Sequence, residues 1–426
     1  MPGRLVRPVT AVMLRGLAVL GALVVAAAGA AAMGAPPGTK VFEDRQGEVT
    51  VRIAVPDAGT SQRVFGVPLE ERNVQPVWVE IANGSADRAV FLPIATDPEY
   101  LSPREASWRF HERLHPEVDA ARDALFAASR MPDRVGPGAT ASGYVFTHRE
   151  TGLKFVTVAM LRGGDELRFR FIVPVAGPEL AIERVDLAKI WAPDAIRDVD
   201  LNGLRTALAA LPCCGGNADG SGRADPLNLV IVGDGLQVVF PLVERGWRFV
   251  QPLDVRSAAA SAKAFFTDGA DPEMPVSPMW LFGRREDVAL QKPSSSIDQR
   301  NHLRLWLTPL RYQGQSVFVG QISRDIGVEF TDKSWYLTTH KVDPDVDLDR
   351  DYILQDMLLS GAVDRFGYVE GVGVSKPDAP RTNLTGDPYF TDGLRLVLMI
   401  GPTRPRFLPL DELDWEKPPL QDSEPR

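Results

Sequence analysis

Four segments decide how this chain is read: PMWLFGRREDVALQ at 278–291, RNHLRLWLTP at 300–309, VFVGQISRDIGV at 317–328 and THKVDPDVDLDRDYILQD at 339–356. In the second, Leu303, Leu305 and Leu307 alternate with His302, Arg304, Trp306 and Thr308. Strand side chains point alternately to opposite faces, so His302 and Arg304 share one face. Val317 and Val319 alternate with Phe318 and Gly320 on a second strand that runs into Ser323-Arg324-Asp325. Residues 335–340 read as a third strand, ending at His340 just before Asp343, Asp345, Asp347, Asp349 and Asp351. Histidines, arginines and carboxylates at strand ends predict one solvent-reachable cleft lined by His302, Arg304, Arg324, Asp325, His340 and Asp343.

In a catalytic reading, His302 and His340 supply acid–base groups and Asp325 and Asp343 supply carboxylates. In a binding reading, Arg284, Arg304 and Arg324 grip an anion, because the guanidinium makes forked contacts to phosphate. Arg324-Asp325 also reads as a local ion pair, worth about 0–1 kcal/mol if exposed. The aspartates begin like a calcium loop, but Leu348 stands where the turn needs Gly and Leu354 where a bidentate Glu belongs. They suit a helix start better, with the helix continuing from Tyr352 to Leu359. No metal and no cofactor is expected.

Upstream, 227–232 is a continuous apolar run, the pattern of a strand buried on both faces. After Gly233-Asp234-Gly235, the residues Leu236, Val239, Phe240 and Val243 fall on one helix face, and Gly246 stops the helix. This strand–turn–helix lacks the third glycine of a dinucleotide loop, because position 238 is Val. Ser294-Ser295-Ser296 lacks the glycines of a nucleophile elbow and reads as a loop. The second domain, 201–402, is therefore expected to be α/β.

Residues 41–200 read as an antiparallel β-sandwich. Period-two alternation recurs at Val49/Val51/Ile53, Val77/Val79/Ile81 and Leu167/Phe169/Phe171/Val173, with Asn83-Gly84-Ser85 and Gly163-Gly164 as turns. A charged helical insertion is expected at about 103–130. His111 and His115 lie there at i, i+4, the spacing of a metal pair on one helix face, although two histidines alone leave a zinc site incomplete. Leu201, Leu204, Leu208 and Leu211 keep helical spacing as far as Pro212. The turn-rich stretch CCGGNADGSG at 213–222 marks the boundary between domains. Cys213 and Cys214 are the only two cysteines of the chain. They read as a disulfide with each other, a pairing with another chain, or two buried thiols.

The first 32 residues have the layout of a secretory signal. Arg4, Arg7 and Arg15 precede or open an apolar run, small residues give cleavage sites ending at Ala30 and Ala32, and Pro36-Pro37 follows. A mature start near Ala31 or Met33 is expected, the alternative being an uncleaved anchor helix. These 32 residues hold three arginines and no acid, so their removal takes the formal net charge from −9 to −12. So acidic a protein is a poor general binder of nucleic acid, and an anion would need a local basic pocket. The Pro-rich stretch 403–426 reads as a disordered tail.

Several linked motifs resemble the LssY C-terminal domain family. They are Phe282-Gly283-Arg284 with Asp287; Arg300 with His302-Leu303-Arg304-Leu305-Trp306; Val319-Gly320 with Ser323, Asp325 and Gly327; and His340 with Asp343-Pro344-Asp345 and Asp347. Pro212-Cys213-Cys214, the DPLNLV run at 225–230 and the GDPYFTDG run at 386–393 extend the resemblance to about 200–402. Some relatives fuse such a domain to phosphatase-type membrane segments that this sequence does not contain. Two functions follow as expectations. The first is an exported envelope module that recognises a phosphate-bearing lipid, a glycan or a membrane protein. The second is a phosphoester hydrolase using His302 or His340 with the arginines.

Overall fold

The computed structural model describes residues 33–112, 114–162, 165–177, 186–250, 279–293, 300–330, 338–401, 411–413 and 415–416. The fold is mixed, with mostly antiparallel sheets and some helices. Among the described residues no helix is long and apolar enough to cross a membrane.

The alternating segments of the first half form two four-stranded sheets. One has the order β1 (Phe42–Gln46), β2 (Val49–Ala54), β3 (Gln75–Asn83), β6 (Thr140–Thr147). The other has the order β5 (Arg134–Val135), β4 (Ala89–Leu92), β7 (Gly152–Arg162), β8 (Asp165–Val175). Val49, Val51, Ile53, Val77, Val79 and Ile81 of the first share a buried cluster with Phe91, Val156, Val158, Met160, Phe169 and Phe171 of the second. Period-two patterning thus delivers one apolar face per sheet to a common core.

α1 (Ala58–Phe65) lies between β2 and β3, and between β4 and β5 come two helices, α2 (Pro103–Trp108) and α3 (Pro116–Ser129). Ser102 and Glu105 form a capping box at the start of α2. The i, i+4 reading of His111 and His115 on one helix is corrected here. His111 sits in the turn between the helices, with Nε2 2.9 Å from Asp123, while His115 is the N-cap residue of α3. Pro116 at the first position of α3 forces this break, since proline favours a helix start and excludes a helix interior.

The second half is built on a ten-stranded sheet. Its main order is β13 (Arg248–Phe249), β16 (Val288–Pro293), β17 (Arg300–Tyr312), β18 (Gln315–Phe330), β12 (Leu229–Gly233), β23 (Leu394–Ile400), β20 (Val363–Glu370), β24 (Asp411–Glu412). β9 (Arg197–Val199) pairs with β17, β19 (Thr338–Val342) pairs with β18, and β21 (Arg381–Thr382) pairs separately with β22 (Pro388–Tyr389). On one face Leu229, Ile231, Leu303, Leu305, Phe318 and Leu398 pack on two helices, α5 (Val239–Glu244) and α6 (Val346–Ser360). On the other, Val230, Trp306, Val319 and Val397 pack on α4 (Leu201–Ala209) and on Met279 and Leu281. A smaller sheet, ordered β11 (Arg223–Pro226), β10 (Cys214–Gly216), β14 (Trp280–Leu281), β15 (Arg284–Arg285), lies on that second side.

Two expectations change. The stretch expected as a linker contributes strand β10, and α4 before it packs into the core of the large sheet. The tail expected to lack structure supplies β24, parallel to β20, because Leu413 is buried in that same core. The two halves are joined through Glu244 at the end of α5. Its carboxylate accepts from Thr157 at 3.0 Å, Arg168 at 2.8 Å and Arg170 at 3.3 Å, and Phe155 packs edge-on against Phe240 beside it.

Candidate functional site

The motif residues fall into three groups, and most of the charge among them holds strands together. Phe282 and Gly283 both have positive φ, 53° and 73°, in the two-residue turn between β14 and β15. Such a turn needs two left-handed residues, which glycine adopts freely and phenylalanine rarely. Here the Phe282 ring packs edge-on against Trp191. Arg284 then stacks over both rings and grips Asp287 with two bonds of 2.9 and 2.8 Å. The pair clips onto β17, where Asp287 accepts the Leu307 N–H at 2.6 Å and Arg284 donates to the Leu307 carbonyl at 2.7 Å.

The aspartate run opens α6 and ties it to the GDPYFTDG segment. Asp343 accepts the Asp345 N–H, a local turn ahead of the helix. Asp347 accepts the Thr391 hydroxyl and the Asp392 N–H, each at 2.7 Å, and Arg350 forks onto Asp392. Asn228 fixes the edge of β12 by bonding both the N–H and the carbonyl of Ile322 and the carbonyl of Val346. Among the described residues no group of three His, Cys, Asp or Glu side chains is placed to hold a metal.

The third group is the polar row inside the large sheet. His302 faces Ser323 across β17 and β18, Arg304 faces Gln321, and Gln291 of β16 faces His302 from the other side. His302 Nε2 lies 2.6 Å from Asp325. Arg300 approaches the same carboxylate at 3.3 Å and donates to Gln291 at 3.0 Å, and Arg304 donates to Gln321 at 2.8 Å. All of these side chains are buried. Burial pushes the His302 imidazole down to about 4, against the pull of Asp325, so it is neutral at pH 7. Its Nε2 proton then faces the carboxylate, and Nδ1 is a buried acceptor with no hydrogen-bond partner among the described residues. Gly320 permits the row, since a Cβ there would lie 2.6 Å from the Arg304 carbonyl.

The single cleft expected from the sequence is corrected at Arg324. Neighbouring strand residues face opposite ways, so Arg324 leaves Asp325 behind and reaches the α6 side. There it donates to Asn301 at 3.0 Å, lies over the Tyr352 ring and stands 3.5 Å from Asp349. Asp349 is fully buried; burial raises its carboxyl to about 8, with Arg324 opposing and Asp343 adding to the rise. On the same side Asp356 gathers Arg245, Trp247 and Lys292. His302, Arg304 and Asp325 are thus brought together, Arg324 and Asp343 meet Asp349 elsewhere, and Arg284 serves the hairpin. The backbone of His340 pairs with Val328, but its side chain lies outside the described residues, as do Ser294-Ser295-Ser296.

Sequence reasoning gave no site role to Arg300, Gln291, Gln321 or Asp349, although it named Arg300 in a motif and Asp349 in the aspartate run. The first three were open to it through strand alternation, because each falls on the His302 face in register. It also missed His148 in the first half, buried 2.5 Å from Asp97 and 3.4 Å from Glu150, with Lys154 beside them. Burial pushes that imidazole down, but the two carboxylates outweigh it and lift it to about 9. Cys213 and Cys214 are joined to each other in a disulfide, with Cys214 buried and its sulfur 3.8 Å from the Tyr389 hydroxyl.

Residues 210–394 match the family model described as LssY C-terminus, so this part of the chain is an LssY-like C-terminal domain. No curated protein matches the chain.

Proposed function

We propose that the protein is an exported envelope binding or accessory module. In this reading a β-sandwich with a helical insertion is coupled to an α/β LssY-like domain. What it recognises is a phosphate-bearing lipid or glycan, or a membrane partner. One observation carries this reading over hydrolysis: the residues that a phosphoester hydrolase would bring together are divided between the two faces of β18, with His302 and Asp325 on one and Arg324 on the other. Arg304 is buried, and Arg284, 24% exposed, is already forked onto Asp287, whereas the Arg324 side chain keeps 32% of its surface exposed. Arg324 is therefore the candidate arginine best able to meet a phosphate.

The test is co-sedimentation of the mature protein with phosphatidylcholine vesicles, with and without phosphatidic acid. Binding is expected only with the phosphomonoester lipid. Arg324→Gln is expected to weaken it about tenfold, the loss of one charge-assisted contact. Equal binding to both vesicles, or an unaffected variant, sinks the reading. The hydrolase alternative draws on the short His302–Asp325 contact and the buried Nδ1 beside it. It requires phosphoester turnover that His302→Ala abolishes.

A further inference from the structure

The Cys213–Cys214 pair lies outside everything assigned above. Its two residues differ in exposure, since Cys213 is partly exposed and Cys214 is buried with its sulfur against Tyr389. The backbone on both sides is held independently of the disulfide. Before it, Arg395 donates to the carbonyls of Leu208, Leu211 and Pro212 at the end of α4. After it, the Leu227 N–H bonds the Cys213 carbonyl at 2.8 Å, Cys214 pairs with Pro226, and Gly216 pairs with Trp280.

A disulfide between adjacent residues closes no loop of chain, so it takes almost no entropy from the unfolded state and contributes little as a staple. Adjacency also fixes the Cα atoms 3.8 Å apart, below the ordinary range of roughly 4.4–6.8 Å, a departure that makes such a bond easier to reduce. The bond is therefore weakly needed by the fold, reducible by its covalent arrangement, and reachable from one side.

We propose that Cys213–Cys214 is a thiol–disulfide exchange site whose substrate is a small or protein dithiol. The incoming thiolate attacks the Cys213 sulfur. The S–S bond breaks, its electron pair passes to the Cys214 sulfur, and a mixed disulfide forms on Cys213. The Tyr389 hydroxyl donates a hydrogen bond to the departing Cys214 thiolate, which then takes a proton from solvent. The second thiol of the reductant attacks the mixed disulfide, releasing reduced Cys213 and an oxidised dithiol. Two electrons and two protons are transferred in all. Because both flanks are anchored, the reduced pair stays in the same frame and can be reoxidised.

The experiment uses the full mature protein under native conditions. It is incubated with dithiothreitol, alkylated, and read by mass spectrometry and by thermal melting. Both cysteines are expected to be alkylated while the melting curve keeps its cooperative transition. In the single variants challenged with oxidised glutathione, Cys213 of Cys214→Ser should form the adduct roughly tenfold faster than Cys214 of Cys213→Ser, following access. Tyr389→Phe should slow reduction about threefold, because a less stabilised thiolate is a poorer leaving group. If a serine variant fails to fold, the order of adducts is read instead on the intact protein by trapping the mixed disulfide with glutathione. Reduction that occurs only after unfolding, or an adduct that appears first on Cys214, overturns the proposal.

Discussion

His302 on β17 and Asp325 on β18 meet diagonally with 2.6 Å between Nε2 and the carboxylate, while Arg324, one residue before Asp325, projects through to Asp349 on the far side of the sheet. One residue step along a strand therefore separates two electrostatic sites with opposite responses to pH.

The first response belongs to His302. Its imidazole titrates near 6.5 when unfolded and at about 4 in the fold, chiefly through burial. Between those values the unfolded chain holds a proton that the fold does not, so this contribution to stability is full above pH 6.5 and declines toward pH 4. His302→Gln retains a donor for Asp325 and removes the titration. Its melting temperature should fall less steeply than wild type between pH 6.5 and 4. Parallel curves for the two proteins would show that the His302 imidazole does not titrate in this way.

The second response belongs to Asp349 and runs the other way. Its carboxyl is raised from 3.8 to about 8 by burial, with Arg324 offsetting only part. The fold holds a proton that the unfolded chain has lost, so the contribution is full below pH 3.8 and declines as pH rises through 8. Asp349→Asn keeps the neutral shape. It should be more stable than wild type at pH 8 and close to it at pH 4, as read by urea unfolding at each pH. An asparagine variant that is less stable at pH 8 would mean that the Arg324 ion pair outweighs desolvation.

Much of this architecture was legible in the chain, and the failures have physical causes. Period-two alternation located β2, β3, β8 and β17, because a half-buried strand must alternate. It also placed His302 and Arg304 on one face. The same rule, applied to Arg324-Asp325, would have separated them, but their charge complementarity suggested an ion pair. What could not be read was tertiary. Alternation puts Gln321 on a strand face, but that Arg304 stands opposite it depends on the β17–β18 register. The adjacent cysteines read as part of a turn-rich domain boundary, whereas β11 and β14 flank them. The Phe-Gly-Arg-x-x-Asp motif invited a chemical role, whereas it is a tight turn with a clip.

Export gives a prediction that depends on residue 33. The carbonyl of Met33 accepts from the Trp78 indole at 2.8 Å and from the Ser142 hydroxyl at 2.9 Å. Cleavage that leaves Ala31 or Met33 at the new terminus preserves both bonds. Amino-terminal sequencing of the envelope fraction should therefore begin at one of these two residues, and intact Met1 in a cytosolic fraction would exclude export. Cleavage beyond Met33 would cost the two contacts and should lower the melting temperature.

Arg395 supplies the last prediction. Its side chain is completely buried, and burial pushes its guanidinium down to about 10. A charge in such a place is tolerated only when its donors are filled. Here the two terminal nitrogens meet four backbone carbonyls, those of Leu208, Leu211, Pro212 and Gly371, while the buried Nε has no hydrogen-bond partner among the described residues. The first three close the end of α4, where a helix leaves carbonyls unpaired and its dipole favours a cation. Arg395→Met fills similar volume and offers no donor, so these carbonyls lose their partner together. The Leu208 carbonyl keeps the Leu211 N–H and Pro212 is exposed, so the loss falls mainly on Leu211 and Gly371; at roughly 1–3 kcal/mol for each buried group left unsatisfied, the variant should lose about 2 kcal/mol in urea unfolding. Arg395→Lys keeps the charge with fewer donors in a different geometry and should fall between the two. The loosened α4 terminus leads directly into Cys213. Arg395→Met should therefore also make the reduced cysteines alkylate faster, with Cys214 gaining more than Cys213 because it starts buried. A methionine variant as stable as wild type would mean that water, rather than the guanidinium, satisfies the end of this helix.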